Sequence, residues 1–316
     1  MGNQSDSCIL VAGSANADFV VRAGRIPAAG ETVLGGDLAI FPGGKGANQA
    51  AAAARAGGVA TRMLVALGDD DLARLITDSL ASMGVELDVR RSPRSTGAAL
   101  ITVSDAAENA ITVAPGANAD LRADDLSDLD GIKWLVMQLE SPVETVSAFA
   151  RTAHDRGVRV MLNAAPARAL SAELLDVVDV LVVNEDELGL LVGAHGSIAD
   201  RLARTGVATT VVTLGGRGAC ARVGGDYLLQ PAFIITPVDT TAAGDTFCGV
   251  LAAGLAQDLD LPAALARAAA AAALVTTRAG AQSSIPRRSD VDAFLIIACQ
   301  HDRVDLAAYC GIDPAC

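Results

Sequence analysis

The chain has 316 residues, 37 acidic against 24 basic, for a net charge of −13; it is 51% hydrophobic and only 3% aromatic. That acidity disfavours nucleic acid, whose binders cluster cations opposite phosphates. A core of Ala, Val, Leu and Ile suits helices laid on a parallel sheet better than an aromatic-rich β-sandwich.

Lysine occurs only at 45 and 133, so a phosphate site must rely on Arg, backbone N–H groups and metal. Cysteines at 8, 220, 248, 299, 310 and 316 form no CxxC pair, which reads as reduced thiols in a cytoplasmic protein. Cys310 and Cys316 are the one pair where a disulfide is conceivable. Residues 1–7 lack the basic start of a secretory leader. The Ala-rich stretch 247–275 is broken by Asp258, Asp260, Pro262 and Arg267, so it reads as two buried helices and no membrane span.

In chain order, 8–13 is an apolar strand leading to a loop over 14–18. A helix is expected over 45–56, opening from Gly43 and Gly44, then a strand over 61–67. Residues 69–83 form an amphipathic helix with Leu72, Leu75, Ile76, Leu80 and Met83 on one face. Between 85 and 113 the pattern changes to strands at 96–103 and 109–113 with no helix between, a hairpin-type excursion suited to a lid or an edge. Strands at 134–138, 158–163, 177–183 and 209–214 then alternate with helices at 143–156, 186–191 and 198–204. A hairpin of 218–223 and 227–231 precedes two long helices, 244–257 and 262–277. This predicts one α/β domain over 1–300, a lid from segments near 19–40 and 95–114, and an extension, 301–316, without a functional reading. Ligands in such sheets sit at the carboxyl edge of the strands.

Two strings carry chemistry. In DTTAAGDTF, from Asp239 to Phe247, small residues at Ala242, Ala243 and Gly244 start a helix whose free N–H groups and dipole suit an anion hole. Asp245 beside it could accept a proton from an attacking hydroxyl. An isolated Gly-Asp at a helix start is more often only a helix-start acid. In FPGGKGANQA, from Phe41 to Ala50, the glycines bring backbone near a hydroxylated ligand, and Asn48 offers donor and acceptor. It is not a Walker A loop, because Gly46 follows Lys45. No G-x-G-x-x-G follows the first strand, which argues against a dehydrogenase.

Together these strings closely resemble the two signatures of the ribokinase family of sugar kinases. The likeness runs from about residue 9 to 294, through VAGSANAD (11–18), GANA (116–119), MQLESP (137–142), NAAPAR (163–168), NEDE (184–187) and TLGGRG (213–218). It implies a three-layer α/β/α sandwich with a mostly parallel central sheet and a small β-sheet lid. By that likeness Asn16, Asp18, Gly44, Lys45, Gly46, Ala47, Asn48, Glu140 and Asp245 hold the sugar, and Asp245 is the catalytic base. Asn184, Thr213, Leu214, Gly215, Gly216, Arg217, Gly218, Gly244 and Asp245 would face ATP. Glu187 would hold Mg2+ through water. Asp239, Thr241, Val275, Arg278, Gly280 and Ser284 align with a loop for K+, a monovalent activator.

The activity implied is transfer of the ATP γ-phosphoryl group to the 5-hydroxyl of D-ribose, in a homodimer joined through the lid. Deoxyribose, a nucleoside or another furanose are alternative acceptors, and a non-catalytic sugar-binding regulator is the rival from another class. Ala269 departs from the family, which usually places Asn or His near adenine there.

Overall fold

Successive residues of a strand point to opposite faces, and the first strand shows what that produces. Ile9 and Val11 enter one apolar core, while Leu10 and Ala12 enter another on the reverse side. The protein is described by a computed structural model covering residues 8–106 and 108–313.

The chain runs β1 (Cys8–Ala12), β2 (Asn16–Ala23), β3 (Ala39–Gly43), α1 (Lys45–Ala52, continued by a π-helical turn, Ala53–Gly57), β4 (Ala60–Leu67), α2 (Asp71–Ser82), β5 (Val85–Arg91), β6 (Gly97–Ser104) and β7 (Asn109–Ala114). There follow β8 (Ile132–Met137), α3 (Val143–Asp155), β9 (Arg159–Asn163), α4 (Ala172–Leu175), β10 (Val180–Asn184), α5 (Glu185–Val192), α6 (Ile198–Ala203) and β11 (Thr209–Thr213). The last elements are β12 (Gly218–Val223), β13 (Asp226–Pro231), α7 (Ala243–Ala256), α8 (Leu261–Val275), α9 (Arg288–Ile297) and α10 (Arg303–Cys310).

Among the described residues nine strands form the central sheet in the order β13-β12-β11-β10-β9-β8-β1-β4-β5, parallel except for the β11-β12-β13 meander. Side chains of α1, α2, α7, α8 and α9 fill one core; those of α3, α5, α6 and α10 fill the other. This is the three-layer sandwich. Local chemistry sets the helix ends: Asp70 caps α2 through the Ala73 amide (2.9 Å), and Asp260 caps α8 through Ala263 (2.9 Å), with Pro262 in its first turn. Of the face expected on α2, Ile76 and Leu80 are buried, and Ala73 joins them where Leu72 and Leu75 stay partly exposed.

Among the described residues four strands, β3-β2-β6-β7, build the second, smaller sheet. It starts earlier than expected. Residues 16–18, read as loop, open β2, with Asn16 paired to both Gly43 and Gly97. The structure also adds β5, an edge strand on β4 that the sequence reading left out. The extension carries a helix: α10 buries Leu306, Ala307 and Cys310. The Cys310 thiol turns inward to that of Cys220, so it is committed to the core; Cys316 lies outside the described residues. Among the described residues no helix is long and apolar enough to cross a membrane.

Candidate active site

At the carboxyl edge of the sheet, β1 and β8 end beside the start of α1, and three acids converge there. Asp18 comes from β2, Glu140 follows β8, and Asp245 lies in the first turn of α7. Their proximity is felt electrostatically. Burial, then the charges of Glu140 and Asp245, push the Asp18 carboxyl up to about 7. No hydrogen bond reaches that carboxylate among the described residues, so its acceptor capacity remains for a ligand. Glu140 is aimed by Ser14, whose hydroxyl donates to Oε2 (2.5 Å), and by the Lys45 amide (3.2 Å). Asn118 fixes the Ala15–Asn16 turn: it accepts from the Ala15 amide (3.0 Å) and donates to Asn16 Oδ1 (2.8 Å). The Asn16 amide nitrogen is thereby left to point elsewhere.

Asp245 is held from behind by amides. Asn48 Nδ2 donates to Oδ2 (3.0 Å) and Gln49 Nε2 to Oδ1 (3.2 Å). Gln49 also donates to Asn163 Oδ1 (3.1 Å) and accepts from Gln138 Nε2 (2.6 Å). This chain has a direction. With the Gln138 NH2 against Gln49 Oε1, only the Gln49 NH2 can face the carboxylate. Each Asp245 oxygen keeps a lone pair for a hydroxyl. Gln49, Gln138 and Asn163 had drawn no role from sequence, nor had Ser14.

The glycine string does less with its backbone than expected. The amides of Lys45, Gly46, Ala47 and Asn48 donate to Glu140, Ser14 Oγ, Ser14 O and Gly44 O in turn. None remains for a sugar, and Ala47 is fully buried. Close packing explains the glycines instead. A Cβ on Gly43 would sit 2.1 Å from the Asp18 carboxylate, and one on Gly44 (φ 89°) 2.7 Å from Ala15 Cα. What this segment still offers a ligand is the Gly44 amide, which meets no acceptor among the described residues, and the side chains of Lys45 and Asn48.

Two connected chambers open beside Asp245. The inner one, about 160 Å3, is polar: Lys45, Asn163, Asn184, Glu187, Thr213 and Asp245 are among its walls. The Asp245 charge raises the Lys45 pKa, so that ammonium stays protonated. The outer chamber, about 280 Å3, is apolar, with Phe233, Phe247, Ala269, Ala272 and Ala273 facing Gly215, Gly216 and Gly218. Thr213, Thr240, Ala243 and Gly244 border both. At the α7 start, Ala242 holds a left-handed backbone (φ 60°), uncommon for a residue with a Cβ. The amides of Ala242, Gly244 and Asp245 meet no acceptor among the described residues. That of Ala243 does not belong with them, since it donates to Thr240 O (3.2 Å).

Two expected nucleotide residues lie off the groove. Leu214 is buried in the core, and the Arg217 guanidinium stacks on the Tyr309 ring at 4.2 Å. Asn184 and Glu187 cap α5 reciprocally (2.7 and 2.8 Å), and burial raises the Glu187 pKa. Asp239 ties the two loops expected around a monovalent ion, accepting from Thr241 (2.9 Å) and the Gly280 amide (3.0 Å). The carbonyls of Val275 and Gly280 each already accept one bond, from Arg278 N and Ser284 Oγ.

A family model described as pfkB family carbohydrate kinase matches residues 7–288. The chain belongs to that family. It is 36% identical over 302 residues to a ribokinase of Haemophilus influenzae, covering 91% of this chain and 98% of the relative. A deoxyribokinase of Salmonella typhimurium is 35% identical over 301 residues, with the same coverage. In three dimensions the chain matches an Arabidopsis thaliana ribokinase complexed with ribose and ATP, with a TM-score of 0.83, 33% identity, and coverage of 92% and 98% of the two chains.

Proposed function

We propose that this carbohydrate kinase transfers the γ-phosphoryl group of ATP to the 5-hydroxyl of D-ribose, releasing ribose 5-phosphate and ADP. The observation that carries the reading is the position of Asp245, at once in contact with Asn48 of the sugar-side helix and in the wall of the chamber floored by free α7 amides. The Arabidopsis relative's ribose and ATP complex supports the same substrate pair.

In this reading Asn16, Asp18 and Glu140 bind the sugar hydroxyls, paired acids and amides suiting vicinal diols. Asp245 takes the proton of the 5-hydroxyl as its oxygen attacks in line. The amides of Ala242, Gly244 and Asp245, with the Lys45 ammonium, hold the charge that spreads over the transferring phosphoryl. The apolar chamber takes the adenine, with Ala269 giving it a smooth wall and no polar contact from that side chain. Closure of the small sheet over the sugar excludes water.

Among the described residues no group of three or more His, Cys, Asp or Glu side chains, the three converging acids included, is placed to hold a metal ion. Mg2+ keeps much of its water and would arrive on the nucleotide phosphates. Glu187, in the inner chamber with one oxygen outside its capping bond, would hold it through water, and the ion would neutralise phosphate charge. K+ would be held by main-chain oxygens around Asp239, Thr241, Val275, Arg278, Gly280 and Ser284, where both bonded carbonyls keep a second lone pair. We assign the chain to the cytoplasm, where its donor ATP is found, and to a homodimer through the small sheet. Phe41, Ile111 and Val113 on the Asp18 face, and Ile40 and Leu100 on the other, are each at least 40% exposed.

A coupled ADP-release assay over ribose, deoxyribose, fructose and adenosine, with and without K+, tests the proposal. Ribose should give the highest kcat/KM. A higher value for another acceptor reassigns the substrate, and ADP release indifferent to every acceptor rejects the kinase reading.

A further inference from the structure

The segment from Cys299 to Cys310 lies beyond the family match, which ends at residue 288, and the proposed reaction makes no use of it. It nevertheless meets the apolar chamber and its rim at three places. Its first residues run along the chamber wall: the Ile234 amide donates to Cys299 O (2.9 Å), the His301 amide to Ala232 O (2.9 Å), and Phe233 bridges to Gln300. Ala232 and Phe233 line that chamber. Then α10 anchors itself through buried Leu306, Ala307 and Cys310. From its outer side Tyr309 reaches two separate rim segments. The phenol oxygen lies 2.7 and 2.9 Å from the Glu185 carboxylate oxygens, and the ring lies under the Arg217 guanidinium.

Glu185 follows Asn184 at the start of α5, and Arg201 braces it again by donating to its carbonyl (2.6 Å). Arg217 is the only non-glycine in the loop from Gly215 to Gly218. Such a loop has much conformational freedom to lose when a ligand orders it. Among the described residues a Cβ on Gly215 or Gly216 would meet nothing, so side-chain packing does not hold the loop tip; it is held by backbone bonds, Leu214 N to Gly218 O (2.8 Å), Arg217 N to Leu214 O (3.2 Å) and Ala232 N to Arg217 O (3.1 Å). The Arg217 stack adds a side-chain restraint to these backbone bonds and ties the loop to α10.

We infer that the C-terminal segment is a brace for the nucleotide half of the site, with Tyr309 the positioning residue that holds the 184–187 turn and the 215–218 loop ready for ATP. This rests on the reading of the groove as a nucleotide site. Coupling is reciprocal: a segment that favours nucleotide binding is itself steadied by bound nucleotide.

The test uses the full chain. Steady-state kinetics of Tyr309→Ala and Tyr309→Phe are compared with wild type, and amide hydrogen exchange over 299–312 is followed with and without a non-hydrolysable ATP analogue. Tyr309→Ala should raise the KM for ATP about 3- to 10-fold, leaving kcat and the ribose KM within about twofold. Tyr309→Phe keeps the ring on Arg217 and should fall between. The analogue should slow exchange over α10, and ribose alone should not. A merely structural role would lower the melting temperature without separating the two KM values. An unchanged ATP KM in folded Tyr309→Ala, or exchange indifferent to bound analogue, overturns the inference. If Tyr309→Ala does not fold, Glu185→Gln and the wild-type exchange experiment decide by the same criteria. Calorimetry on wild type separates the two levels: no analogue binding rejects the nucleotide reading and the brace with it, whereas binding without these effects rejects the brace alone.

Discussion

Gln49→Met removes one amide from the back of Asp245 at nearly constant volume. Gln49 is fully buried, so no water replaces it. The change deletes the 3.2 Å bond to Asp245 Oδ1 and strands the Gln138 NH2, which now donates over 2.6 Å. A hydrogen bond to a charged group contributes about 1.5–3 kcal/mol, and each 1.36 kcal/mol is tenfold in rate. If the bond serves to hold the base, kcat should fall about 10- to 100-fold, with both KM values near wild type. The orphaned Gln138 donor should cost about 1–3 kcal/mol of stability, visible as a lower melting temperature. Steady-state ADP release measures the first effect and thermal unfolding the second. The decisive comparison is Gln49→Met placed in Asp245→Asn, where it should add little because its route to catalysis is already cut. Full activity in Gln49→Met, or an undiminished effect in the double variant, refutes the reasoning.

Asp18 predicts a pH effect on stability. Its folded pKa of about 7 lies above the ordinary carboxylate value near 3.9, so between those values the folded chain binds a proton that the unfolded chain does not. Stability of the ligand-free protein should therefore fall as pH rises from about 4 to 7, by at most about 4 kcal/mol from this group. Asp18→Asn should melt higher than wild type at pH 8 and lose that advantage near pH 4, while losing sugar affinity; parallel melting curves across pH would contradict this. Ala269→Phe pushes a ring into the outer chamber, whose volume is about 280 Å3. It should raise the KM for ATP at least about tenfold with little change in sugar affinity, and an unaffected ATP KM would place the base elsewhere.

The parallel strands and the long helices were legible because their patterns are local: apolar β-branched runs, an apolar face at helical spacing over 69–83, and Pro262 at a helix start. By contrast, β5 reads VELDVRR, and four charges in seven residues hide the alternation of Val85, Leu87 and Val89. An edge strand with one partner tolerates such charge, which a central strand would not. The reading of 14–18 as loop failed for a different reason. Asn16 to Asp18 pair with strands from residues 39–43 and 97–104, and nothing local announces that.

Site residues divide the same way. Asp245 and the small residues before it form one contiguous string whose chemistry follows from a helix start. Gln49, Gln138 and Asn163 stand 89 and 114 residues apart along the chain, and only the sheet order brings their amides together. Gly46 and Ala47 illustrate the opposite error: their motif is real, but their amides are spent on Ser14. Arg217 was assigned to the nucleotide because its loop is, yet its side chain follows α10, whose packing no motif foretold.

At the centre of this account stands one carboxylate that takes a proton from a sugar hydroxyl. Asp245→Asn keeps the shape and removes the base, so ADP release with saturating ribose and ATP should drop by about 10²- to 10⁴-fold, while calorimetry still detects ribose binding. Wild-type turnover in that variant would contradict the account.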